Sequence, residues 1–192
     1  MKRITALITA ILTVAACVFL GACAKDSGDG TPRGMKLASA DSAPYKFYVP
    51  EMWQSDVASG ASIAHYSSSD TSSVSVMVFS LEHSADGAAE WWASFEEDFK
   101  LVYRNFTVVS KEDAELDGNP AMKVVYTGEL EHKDPRTGNT TFDTFKFMQI
   151  VSVKTKALSL PEAYVITYTS NPEMFDKHTS DLDKIIENFK FN

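Results

Sequence analysis

The chain has 192 residues, with 18 Lys and Arg against 26 Asp and Glu, for a formal net charge of −8. A balance this acidic is repelled by nucleic acid and by anionic headgroups, which argues against a nucleic-acid partner and against electrostatic adhesion to a membrane. The two cysteines, Cys17 and Cys23, both lie near the start, so the rest of the chain has neither disulfide nor thiolate chemistry.

Lys2 and Arg3 open the sequence, and Ile4 to Ala22 is then apolar or small with no charge. That is the layout of an export signal, with the basic end held on the inner side of the membrane. Leu20-Gly21-Ala22-Cys23 reads as a lipoprotein processing box, with Cys23 as the lipid acceptor. Cys17 also follows small residues, but Val18-Phe19-Leu20 keeps the chain apolar behind it. Behind Cys23 comes the polar run Ala24-Lys25-Asp26-Ser27-Gly28-Asp29-Gly30, which lets the chain leave the bilayer. Two or more acyl chains hold firmly because each buried CH₂ contributes about 0.8 kcal/mol. Cleavage removes two basic residues and no acidic one, so the mature chain is more acidic still. The expected division is a signal peptide over 1–22, a lipidated cysteine and flexible tether over 23–43, and a folded domain over 44–192.

From Pro44 the pattern changes. Tyr45 to Val49 alternates with a period of two and predicts a strand ended by Pro50. Ser62 to Ser67 predicts a weaker strand, with Ile63 and His65 on one face and Ala64 and Tyr66 on the other. In Ser73 to Leu81, Val74, Val76 and Val78 face one way and Met77, Phe79 and Leu81 the other, as in a strand covered on both sides. Asp86 is a plausible N-cap. Gly87 to Arg104 then places Ala88, Trp92, Phe95, Phe99 and Val102 on one helical stripe, widened by Trp91. Leu101 falls on the polar side of that helix.

Strands are predicted at Phe106 to Lys111, Ala121 to Glu131, Thr140 to Val153 and Ala163 to Thr169. Turns fall at Asp117-Gly118 and at the loop Lys133 to Asn139. Asn171-Pro172 opens a last helix, with proline at the first helical position. Phe175, His178, Leu182, Ile185, Ile186 and Phe189 share one of its faces. The order of elements predicts an α+β domain: a mainly antiparallel sheet of about six to seven strands, sandwiched between two main helices.

Tyr45-Lys-Phe-Tyr-Val-Pro50 with Trp53, the strand Val74 to Val78, Leu116-Asp-Gly-Asn-Pro-Ala121 leading to Tyr126, Tyr164 to Thr169, and Phe175 with Ile185-Ile186-Glu-Asn-Phe189 carry a resemblance. With these residues the chain resembles the PsbP/Mog-like superfamily, especially its bacterial lipoprotein branch. The resemblance implies an antiparallel sheet of about six strands between helices, and accessory roles. Members help organise photosystem II, bind a small GTPase, or sit in bacterial membranes as lipoproteins of obscure role. The matching residues are strand, turn and packing positions, so no functional residue carries over.

Candidate chemistry is sparse. Glu129, Glu131, His132 and Asp134 lie close together on a hairpin and carry the groups of a divalent-cation site. Charged hairpins also serve simply to block edge pairing. The serines lack a nucleophile-elbow motif, and Thr137-Gly138-Asn139-Thr140 lacks the glycine spacing and lysine of a phosphate loop. Trp53, next to the turn at Pro50, is a candidate for partner contact, set against a role as a lid on the core. The expectation is a non-enzymatic lipoprotein without a cofactor, anchored on the extracytoplasmic side of a bacterial cell membrane and binding or scaffolding another envelope protein. The alternatives are a small-ligand- or metal-binding lipoprotein, or an enzyme.

Overall fold

In a computed structural model of the chain, the described residues are 30–58, 61–81, 87–134, 136–155 and 160–192. Seven strands form one sheet: β4 (Gln54–Ala58), β5 (Ala61–Ser67), β6 (Asp70–Ser80), β7 (Arg104–Leu116), β8 (Asn119–Lys133), β9 (Thr140–Lys154) and β10 (Glu162–Ser170). Their spatial order is β4-β5-β6-β10-β9-β8-β7, and every pairing is antiparallel. Short connections explain this for the paired strands that are consecutive in the chain. Asp117 (φ 47°) and Gly118 (φ 72°) make a two-residue turn of the hairpin type that follows strand twist, joining β7 to β8.

Both faces of the sheet are apolar because successive side chains alternate. One face carries Val74, Val76, Ile150, Tyr164, Ile166 and Tyr168, all buried. It packs against β1 (Met35–Leu37), β2 (Tyr45–Lys46), β3 (Tyr48–Pro50) and the C-terminal helices. The other face carries Val124, Tyr126, Phe147, Val151 and Val165 beneath α1 (Ala88–Val102), which inserts Trp91 and Trp92. The sandwich and its one helical layer per face are therefore as the alternation predicts. Leu101 is 85% exposed, as its place on the polar side requires. Val102, expected on the stripe, is also exposed, and Tyr103 packs into this core instead. Gly128 makes room for that: a Cβ there would lie 2.7 Å from the Tyr103 Cβ.

Four details differ from the sequence reading. The segment 34–43, expected as tether, is packed. β1 pairs with β3, Met35 and Ala38 are buried, and Gly34–Asn192 forms one compact unit. A three-residue strand in a Gly- and Ser-rich stretch leaves no periodic signal. The first predicted strand is split at Phe47 into β2 and β3. The edge strand β4 is an addition, hidden because Gln54-Ser55-Asp56 is polar and exposed. The last helix is three pieces: α2 (Pro172–Phe175), a 3₁₀ turn (Asp176–His178) and α3 (Thr179–Glu187). β11 (Lys190–Phe191) then pairs with β2. Asp117 fastens it, accepting from Lys190 Nζ at 2.8 Å and from Phe191 N at 3.0 Å. Asp86, the expected N-cap of α1, lies outside the described residues.

Candidate functional site

The most reactive-looking groups converge inside the C-terminal layer. His178 Nε2 donates to Asp70 Oδ2 at 2.8 Å, and each side chain is 6% exposed. Asp70 Oδ1 accepts from Ser72 N at 2.9 Å, and the hydroxyls of Ser72 and Ser170 meet at 2.8 Å. Burial alone would raise the Asp70 carboxyl, but the hydrogen bonds from Ser72 and His178 hold it below its ordinary value. A nucleophilic triad needs an imidazole between carboxylate and hydroxyl. Here the Ser72 hydroxyl bonds to Ser170, away from the ring, and no substrate reaches residues buried this deeply. The cluster ties the start of β6 to the 3₁₀ turn.

Trp53 belongs to the same region and is fully buried. Its indole Nε1 donates to Asp181 Oδ2 at 3.1 Å, and its ring meets Tyr66 and His178 edge-on at 5.7 and 5.6 Å. The partner-contact role considered for Trp53 is therefore corrected: it closes the core and offers no face to a partner. Trp91 and Trp92 are buried as well.

The acidic hairpin does not gather. Glu129 accepts from Asn105 Nδ2 at 2.9 Å and stands 3.7 Å from Arg104 Nε. Asp134 turns back on its own loop, accepting from Arg136 N at 2.8 Å and from the Thr137 hydroxyl at 2.8 Å. Those bonds, led by the Arg136 amide, lower its carboxyl. Glu131 and His132 are exposed. Among the described residues no group of three or more His, Cys, Asp or Glu side chains is placed to hold a metal ion.

Among the described residues, two surface clefts stand out. One, of about 500 Å³, lies between the start of α1 and the β7–β8 hairpin; in its wall Lys111 pairs with Glu96 at 2.6 Å and Glu112 with Lys123 at 3.1 Å, beside Asp113. The other, of about 680 Å³, opens where Thr71 of β6, Asp143 to Phe145 of β9 and Asn171 to Glu173 at the start of α2 meet.

Solved structures share this architecture. Cyanobacterial PsbP (CyanoP) from Synechocystis superposes with a TM-score of 0.53 at 15% identity, covering 90% of this chain and 99% of that one. The fold is PsbP/Mog-like. The Ran-binding protein Mog1p of Saccharomyces cerevisiae gives a TM-score of 0.50 at 9% identity, over 82% of this chain and 95% of its own. A Pseudomonas aeruginosa protein of unknown function, PA94, described as a putative regulator, gives 0.51 at 15% identity, over 80% and 94%. No family model and no curated protein matches the sequence.

Within this PsbP/Mog-like sandwich, no helix among the described residues is long and apolar enough to cross a membrane. Leu20, Gly21, Ala22 and Cys23 lie outside the described residues. The buried Asp70–His178 pair was missed from sequence because its members stand 108 positions apart. The single signal was the placement of His178 on the inner face of the last helix.

Proposed function

We propose that the chain is a lipoprotein anchored through Cys23 to the outer side of a bacterial cell membrane, and that its PsbP/Mog-like domain binds or scaffolds another envelope protein without catalysing a reaction. The observation that carries this reading is the processing box Leu20-Gly21-Ala22-Cys23, apolar before and polar after. The fold is compatible with it. Most of both faces of the sheet is filled by packing, and the buried Asp, His and Ser groups are consumed in holding the C-terminal layer. Mog1p, which is similar in fold, is a Ran-binding protein, so protein recognition is a use this architecture supports.

The test is in-cell crosslinking followed by purification of the lipidated protein. One envelope protein should be recovered reproducibly, and recovered poorly when the same domain is released from the membrane by Cys23→Ser. Recovery of no partner, with a tightly bound metal or small molecule in the purified protein, would overturn the reading.

A further inference from the structure

α1 covers only part of its side of the sheet. It lies over Val124, Val151, Ala163 and Val165, while Ser73, Ser75, Thr167 and Thr169 on the same side remain half-exposed. These four are cross-strand partners, Ser73 with Thr169 and Ser75 with Thr167. They form a small grid of hydroxyls, spaced about 4.8 Å across the strands and about 6.8 Å along them. At the next position along this side, the grid runs into the 680 Å³ cleft.

The cleft has a mixed lining. Thr71 and Thr144 carry hydroxyls, Asn171 an amide, Asp143 and Glu173 carboxylates, and the half-buried Phe145 a ring. No hydrogen bond or ion pair within the described residues engages the side chains of Thr71, Asp143, Thr144, Asn171 or Glu173. In the other cleft Lys111 and Glu112 are both paired, and of its charged residues Asp113 alone has no partner among the described residues. Farther along the same side of the sheet lies one buried acceptor without a partner among the described residues. Gln149, only 6% exposed and on the same side, donates to the Thr167 hydroxyl at 3.1 Å while its Oε1 accepts nothing.

We propose that this cleft and the adjoining hydroxyl grid form a binding site for an uncharged oligosaccharide. The donor and acceptor balance selects that class. A sugar hydroxyl both donates and accepts, so it pairs with carboxylates and with hydroxyl and amide donors at once. Hydrogen bonds to ionised carboxylates are the stronger ones, and they hold hydroxyl donors in fixed orientations. The carboxylates, with no basic residue in the lining, repel phosphorylated or acidic polymers. A purely cationic ligand would engage the carboxylates and hydroxyl oxygens but leave the Asn171 Nδ2 donors without an acceptor. Phe145 supplies the apolar surface on which the C–H face of a sugar ring packs, and the grid extends the site beyond one ring.

The full chain, purified in detergent, is titrated with three probes: chitotetraose, cellotetraose and maltotetraose, followed by amide shifts and calorimetry. At least one should bind saturably and shift Phe145 and Thr169. Asp143→Asn with Glu173→Gln should weaken that binding about tenfold or more. Both side chains are exposed and unpaired, so the thermal midpoint should stay unchanged. Thr169→Val should weaken it a few-fold, and Glu112→Gln, in the other cleft, should not. Failure of all three saccharides to bind overturns the proposal. Binding that the double variant leaves intact overturns it too, because the site then lies elsewhere. Saturable binding of a lysine-rich peptide in place of the saccharides, lost in the double variant, overturns it in favour of a cation site.

Discussion

Asp70 and His178 stand 108 positions apart, yet form a buried polar contact between the sheet and the C-terminal layer. Because the Asp70 carboxyl titrates below its ordinary value when folded, its contribution is fully present above the unfolded pKa of about 4 and is lost as pH falls through the folded value. Asp70→Ala should cost about 3 kcal/mol near neutral pH by leaving the imidazole buried without its partner. Urea midpoints of the two proteins should converge below about pH 4. A difference that persists undiminished at pH 2 would contradict this. Gly128 is a second residue-scale case. Gly128→Ala drives a methyl into Tyr103, so urea denaturation should show a loss of about 1–3 kcal/mol. Neither position was readable in advance. A glycine in a strand announces a close approach without saying to what, and a histidine on an inner face does not name its partner.

The elements were more legible, for a definite reason. Val74-Ser-Val-Met-Val78 and Tyr164-Val-Ile-Thr-Tyr168 were legible because Val74, Val76, Tyr164, Ile166 and Tyr168 recur with a period of two on one buried face, and that period is the signal that burial imposes. Where burial is slight the signal fails. β4 is polar and at an edge, while β1 is short and its neighbours are small. The break of the last helix at His178 went unseen for another reason: its apolar spacing continues through the 3₁₀ turn. Met35 distinguishes the packed reading of 34–43 from the tether. Met35→Ala should cost about 2 kcal/mol or more in urea denaturation, whereas a free tether would show no change. Along α1, Trp92→Ala should cost about 3–5 kcal/mol and Leu101→Ala less than about 0.5 kcal/mol. Equal losses at the two positions would mean that the helix presents a different face to the sheet.

At the scale of the whole molecule, fold and address came from different kinds of residue. The sandwich follows from packing positions spread over the domain, so it persists in solved structures at 9–15% identity. The proposed address rests on four consecutive residues and the polar run behind them. The oligosaccharide cleft was illegible because it is assembled from three distant segments, none of which forms a motif. An acidic domain carried by a lipid anchor would stand at a membrane without adhering to it, which suits a scaffold. The measurement that bears most directly on this is metabolic labelling with a fatty acid followed by fractionation of the wild type, Cys23→Ser and Cys17→Ser. The wild type and Cys17→Ser should carry the label and sediment with membranes. Cys23→Ser should lose the label and be either released or left unprocessed. Label retained in Cys23→Ser and lost in Cys17→Ser would place the anchor on the other cysteine. A wild type without label would contradict the anchored lipoprotein altogether.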